Sequence, residues 1–211
     1  MLRYNNTIIM LYGMVSVIAL CSFVIAASCT TRLPDNRTVS GNHSWEGVIT
    51  VANEVLIALE QQNGKQLASL VHPKKGVRFS PSAYVDLKLD LIFSRDQIER
   101  FWTDRKTYLW GYEDGTGEPI KLTPAHYWRK YILTRNFRKA ASINVNNDQA
   151  AGNTTNNAAK VYPAATRVEF YIKSSKHGSV EQFDWVALRL VFEHVGDSWF
   201  LVGLIYDQWT V

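Results

Sequence analysis

His72 and Arg78 stand close together in the stretch LVHPKKGVRFSP. An imidazole titrates near neutral pH and can act as a general base, and a neighbouring guanidinium can orient an anion. The plainer reading is a His-Pro pair that ends a helix, with the ring near the last carbonyls and Lys74, Lys75 and Gly76 forming a solvated turn. A second group lies on DWVALRLVFEHV, where Arg189 and Glu193 share one strand face with Trp185, Ala187 and Val191. The other face, Val186, Leu188, Leu190 and Phe192, is unbroken and apolar. Two charges four positions apart on one face of a strand can enter a pocket, or they can pair across strands at a solvated face. Asp86 and Asp207 are further acids that a pocket could use. A third group, HYWRKYILTRNFRKA, sets Arg129, Lys130, Arg135, Arg138 and Lys139 among Tyr127, Trp128, Tyr131 and Phe137. Cations interleaved with aromatics can hold a polyanion; a helix with a solvated basic face has the same composition. EDGTGEP lacks the ligand ladder of a calcium loop and reads as an Asp-Gly turn. The five histidines show no metal-ligand spacing, so neither a metal site nor a cofactor is expected.

The N-terminal segment bears on where such groups would work. After Arg3 no charge occurs until Arg32, and Ile8–Ser28 is an apolar run ending in small residues. A charged start, an apolar stretch and a small-residue end predict a secretory signal. AASC, with Ala26, Ala27 and Ser28 before Cys29, resembles the bacterial lipoprotein signal, in which the cysteine thiol takes a diacylglycerol and becomes the new N-terminus. An uncleaved anchor is the alternative, since the run could cross a bilayer core of ~30 Å. Cleavage before Cys29 leaves 183 of the 211 residues and one cysteine, already lipidated. No disulfide or thiol nucleophile is then available, and the core must hold the domain alone. Export also argues against a nucleic-acid partner for the basic stretch and favours an anionic headgroup or wall polymer.

The elements that must position these groups follow from pattern. Residues 1–28 are expected as the signal peptide, 29–43 as lipidated cysteine and tether, and 44–211 as one domain. Ser44 can cap a first helix whose face is Trp45, Val48, Ala52, Val55, Leu56 and Leu59, with Gly64 breaking it. QLASLV predicts a short second helix that Pro73 stops. GVRFS predicts a strand with Val77 and Phe79 on one side and Arg78 on the other. DLKLDLIFS alternates through Leu87, Leu89, Leu91 and Phe93 and predicts another. Ser94 with Gln97 has capping-box spacing for a helix over RDQIERFW. YLWGYEDGTGEPIKL predicts a hairpin, and Thr123-Pro124 the start of a helix over PAHYWRKYIL. Residues 144–157, rich in Asn, Ala and Gly, predict a long loop. TRVEFYIK, DWVALRLVFEHV and SWFLVGLIYDQWTV predict three strands, the last two joined at Gly196-Asp197.

Helices followed by a terminal antiparallel sheet, with Trp199, Leu201, Val202, Gly203 and Leu204 near the end, resemble the NTF2-like fold. HPKKGVRFSP, WGYEDGTGEPI and LRLVFE with WFLVGLIYDQWT are similar to segments of uncharacterised bacterial lipoproteins over roughly residues 50–211. The resemblance implies an α+β cone, with N-terminal helices packed on a curved antiparallel sheet around a pocket. Gly203 within a strand suits a bend in such a sheet. It transfers no activity, because fold does not fix function. The expectation is a membrane-anchored lipoprotein of the cell envelope, facing outside the cytoplasm, that binds a small ligand or an envelope partner. His72, Arg78, Arg189 and Glu193 are its candidate pocket residues. An NTF2-like enzyme of the isomerase or SnoaL type is the less favoured alternative and would need an acid and a Tyr or His converging in an open pocket. Surface binding through Arg129, Lys130, Arg135, Arg138 and Lys139 is the third.

Overall fold

The structure, a computed structural model, describes residues 38–40, 45–150, 152–173 and 184–209. The predicted signal, Cys29 and the Ser44 cap lie outside them. The described strands form a seven-stranded sheet and a separate two-stranded hairpin. The sheet contains β1 (Thr38–Ser40), β2 (Val77–Ser80), β3 (Leu91–Phe93), β6 (Ser142–Val145), β7 (Thr166–Ile172), β8 (Val186–Val195) and β9 (Ser198–Gln208), and the hairpin is β4 (Tyr108–Tyr112) and β5 (Pro119–Leu122). The sheet order is β1-β6-β7-β8-β9-β2-β3. Pairing is antiparallel at the centre, as the alternating C-terminal strands predict. Two pairs run parallel, β2 with β9 and β1 with β6. The first comes from the loop geometry after the second helix, where the His72 amide donates to the Leu201 carbonyl at 2.9 Å and starts the chain alongside β9. Thr38–Ser40, expected as tether, is the strand at one edge of the sheet.

Helix α1 (Glu46–Glu60) buries Val48, Ala52, Val55, Leu56 and Leu59 as its spacing predicts. Gly64 does not break it. It opens α2 (Gly64–Leu70), capped by Asn63, and a Cβ there would sit 2.3 Å from the Glu99 carbonyl oxygen. The glycine is needed for that close approach. Helix α3 (Arg95–Glu99) has the capping box of Ser94 and Gln97. The expected strand over residues 86–93 is a strand only at Leu91–Phe93. Asp86 Oδ1 accepts from the Lys88 and Leu89 amides, folding 86–90 into a turn that leaves Leu87 and Leu89 exposed. Asp side chains that bond the backbone two residues on favour turns over strands.

The core has two layers. Between the helices, the hairpin and one face of the sheet lie Phe79, Phe93, Phe101, Trp110 and Tyr127, none more than 2% exposed. Trp110 stacks on Tyr127 with centroids 3.8 Å apart, and on Phe93 at 5.3 Å. Phe79 stacks on Phe101 at 5.3 Å. The Trp110 indole N–H reaches the Leu122 carbonyl at 2.8 Å, so its polar edge is satisfied inside the apolar packing. The opposite face of the sheet is covered by the β6–β7 connection, which includes α5 (Ala158–Val161). Val191, Val202 and Ile205 pack there against Val85, Ala158, Val161 and Tyr162. Val202 is the extra residue of a bulge where Val191 faces Gly203 and Phe192 faces Leu201. A Cβ at Gly203 would meet Tyr162 Oη and Val191 Cγ2 at 3.1 Å each, so the glycine admits the covering layer. The architecture is α+β, with helices on a curved, antiparallel-dominated sheet.

Candidate functional site

The end of α1 and the segment after the hairpin enclose a cleft of about 290 Å³. Thr123 caps α4 (Pro124–Tyr127), with Pro124 at the tolerated first position. The predicted helix does not continue as α. It widens into a π turn over Trp128–Ile132, closed by the Leu133 amide on the Trp128 carbonyl at 2.8 Å. π turns insert an extra residue and often mark functional sites. The Trp128 indole donates to the Leu59 carbonyl at 3.1 Å, tying the turn to the last turn of α1. Leu56, Leu59, Trp128, Ile132 and Phe137 give the cleft an apolar lining, and Arg135 and Arg138 stand among its polar residues. Arg138 pairs with Glu60 at 2.7 Å and Arg135 with Asp184 at 3.0 Å. Glu60 lines the cleft as well, so a small molecule with an apolar body and an anionic end would compete with Glu60 and Asp184 for the two guanidinium groups.

The four candidate pocket residues do not converge on this cleft. His72 Nδ1 accepts from the Lys74 and Lys75 amides at 3.1 and 3.0 Å, which makes the ring the organiser of its own turn. Its Nε2 is 3.9 Å from Glu193, and Glu193 pairs with Lys75 at 2.6 Å. Arg78 sits on the face opposite Val77 and Phe79, across from Gly203. Its Nη1 donates to the Asp90 carbonyl at 3.1 Å. The Tyr162 hydroxyl is pushed up by burial and pulled back by Arg78. Of the basic group, Lys130 pairs with Glu113, which also accepts from the Tyr131 hydroxyl at 2.9 Å. Arg129 and Lys139 are exposed, on the π turn and on a short 3-10 turn over Phe137–Lys139.

Arg189 proves to be the centre of a buried ionic network. Its Nε donates to Glu169 at 2.9 Å, and its Nη2 to Asp207 at 2.7 Å and to the Ala150 carbonyl at 3.1 Å. Glu169 accepts further from the Gln149 amide at 2.6 Å and from Asn144 at 3.2 Å. Asp148 bonds Arg167 at 3.3 Å and Asn156 at 2.8 Å. Glu169 and Arg189 are wholly buried. Burial pushes the Asp207 carboxyl up against the pull of Arg189. The network fastens the β6–β7 connection to the sheet, so this charged face meets protein rather than solvent. Sequence reading named Arg189 and Asp207 but missed Glu169 and Asp148. The signal was there for Glu169: Arg167 and Glu169 alternate on TRVEF, and antiparallel register sets Glu169 directly opposite Arg189. Asp90 was also missed. It is buried, accepts from the Ser80 hydroxyl and from the Asp86 amide at 3.0 Å, and burial raises its pKa to about 6.

No family model and no curated protein matches the sequence. Solved structures do resemble the fold. One is a protein of the NTF2-like family from Streptomyces avermitilis, 11% identical over 79% of this chain and 97% of its own, with a TM-score of 0.36. Another is a DUF4783 family protein from Bacteroides ovatus, 8% identical over 75% of this chain and 94% of its own, with a TM-score of 0.33. The likeness is one of shape, and neither protein's role passes to this chain.

Proposed function

We propose that this chain is a membrane-anchored, extracytoplasmic binding domain that takes a small amphiphile, apolar with an anionic end, in the cleft between α1 and the π turn. The observation that carries the reading is the cleft itself: Leu56, Leu59, Trp128, Ile132 and Phe137 form an apolar lining of ligand-sized volume next to Arg135 and Arg138. Pockets of a few hundred Å³ with few polar groups suit small ligands. The aromatic rings that fill the space between helices and sheet weigh against an isomerase-type enzyme, which needs that space open to water and to a converging acid and base.

Decanoate titrated into the protein by calorimetry should bind saturably, and decanol at least about tenfold more weakly, since a charge-assisted bond to a guanidinium is worth about 1.5–3 kcal/mol. Leu133 lines the cleft but is 47% exposed, so Leu133→Glu leaves the core intact and should abolish decanoate binding by charge repulsion. Absence of saturable binding, or binding indifferent to Leu133→Glu, would reject the site. The anchor has its own test: Cys29→Ser should abolish labelling by a radioactive fatty acid, and unchanged labelling would refute lipidation.

A further inference from the structure

The turn between α2 and β2 is closed by one face of an imidazole. His72 Nδ1 accepts from the backbone amides of Lys74 and Lys75 at 3.1 and 3.0 Å. A backbone N–H can only donate, so in the closed turn Nδ1 carries no proton and the neutral ring keeps its proton on Nε2. An imidazolium has a donor at each nitrogen and no acceptor. Protonation at Nδ1 would therefore set one N–H against two others. The ring has little room to step aside: it is 6% exposed and meets Phe200 of β9 edge-on, with centroids 6.1 Å apart. The backbone on either side is pinned. The His72 amide donates to the Leu201 carbonyl at 2.9 Å, the Gly76 amide to the His72 carbonyl at 3.0 Å, and Arg95 Nε to the Val71 carbonyl at 2.7 Å. What can yield is Pro73, Lys74 and Lys75, all three exposed. The charged groups around the ring are Glu193 of β8, Arg95 of α3, and Lys74 and Lys75 themselves. Glu193 Oε2 lies 3.9 Å from Nε2 and pairs with Lys75 at 2.6 Å, and Arg95 lies over the Phe200 ring at 5.3 Å. An imidazolium here finds a carboxylate on its Nε2 side and only N–H donors on its Nδ1 side.

We propose that the 72–76 turn is a proton-sensitive latch: neutral His72 holds the Lys74 and Lys75 amides closed, and protonation of the ring releases them. The closed turn admits one protonation state only, so it is favoured where the ring is neutral and opposed as pH falls. Glu193 adds to the exchange. In the closed turn its partner is Lys75; in acid the imidazolium competes for the same carboxylate and weakens that second tie as well. The opening is local. Beyond the turn β2 is held by its own ladder, Arg78 opposite Gly203 and Phe79 opposite Leu204, which does not depend on the ring. Acid thus converts a fixed turn into a loose loop carrying two lysines beside β8.

The test uses the full chain, isotope-labelled in detergent micelles and followed by NMR from pH 7.5 to pH 4.5. The ring nitrogens should report the Nε2–H tautomer at pH 7.5. The Lys74 and Lys75 amide shifts should then move together with the His72 ring, at one midpoint, while the Phe79 amide stays put. Cleavage after Lys74 or Lys75 by a lysine-specific protease supplies a second readout. At pH 5 it should be about tenfold faster in the unsubstituted chain than in His72→Asn, the effect expected for two lost hydrogen bonds, and equal in the two at pH 7.5. Asn Oδ1 takes the place of Nδ1, bonds the amide two residues on and does not titrate, so this variant keeps the latch closed. The titration of the unsubstituted chain stands without any variant. Glu193→Gln should leave the acid opening in place, because release begins at Nδ1. A ring that titrates while both amides stay put overturns the proposal, as does a turn that stays closed to pH 4.5. So does a His72→Asn chain that opens in acid as the unsubstituted chain does. Loss of the acid response in Glu193→Gln also overturns it, and assigns the sensor to the carboxylate.

Discussion

Two buried charged groups make opposite demands on the fold. Asp90 is held neutral-leaning by burial, with its pKa at about 6 against an ordinary 3.8. The folded chain then binds this proton more tightly than the unfolded chain does. The stability it contributes is fully present below pH 3.8 and is lost as pH rises through 6, amounting to about 3 kcal/mol for a shift of this size. Asp90→Asn should remove that slope, so urea midpoints measured from pH 4 to pH 7 should flatten relative to the unsubstituted chain. A slope that persists would place the titrating group elsewhere. Arg189 is the reverse case, a cation that the fold keeps charged. Burial alone would lower its pKa, yet the carboxylates of Asp207, Glu169 and Asp148 raise it. Arg189→Met should cost about 3–5 kcal/mol, because it strands buried carboxylates without their counter-charge. It should also free the loop at Gln149 and Ala150, seen as faster protease cleavage there. Adding Glu169→Leu and Asp207→Leu should restore much of the loss, since apolar replacements can rival a buried ion network.

At the scale of elements, the parts with local causes were legible and those with distant causes were not. The Ser94–Gln97 capping box, the Thr123 cap and the Gly196-Asp197 turn are set by residues within four positions of each other, and all stand where the sequence puts them. Gly64 was misread as a breaker because its reason lies in α3, not in its neighbours. Gly64→Ala should gain helix propensity of about 1 kcal/mol and still destabilise, by about 1–3 kcal/mol net, because the added carbon collides with backbone that cannot yield. Gly117→Ala is the comparison. Unlike Gly64, it has a positive φ of 70° and meets nothing within 4 Å, so it should lose only the conformational cost of about 1–2 kcal/mol. Thermal unfolding of the two variants separates collision from backbone strain. The π turn was equally hidden, since WRKYI reads as ordinary helix and only Trp128 tied to the Leu59 carbonyl marks the site.

At the scale of the molecule, the aromatic filling decides which concavity can serve a ligand. Trp110 is wholly buried between Phe93 and Tyr127. Trp110→Ala should cost about 3–5 kcal/mol and leave a dry cavity. Indole, added back, should raise the melting temperature of that variant and not of the unsubstituted chain. If indole stabilised both, the interior would hold ligand space already, and the balance between binding domain and enzyme would shift.

The sequence by itself determined the α+β class, the helix faces, the long C-terminal strands and most caps and turns, because periodicity and capping are short-range and written in neighbouring residues. Only the tertiary structure decided that Arg189 is an anchor rather than a pocket residue, since that depends on Glu169, Asp207 and a loop brought over the sheet. It also decided that Leu87 and Leu89 face outward, because Asp86 spends its carboxylate on its own backbone and turns an apparent strand into an exposed tip. Binary pattern reports which residues prefer burial; which partners satisfy the charged ones is settled only when distant strands meet.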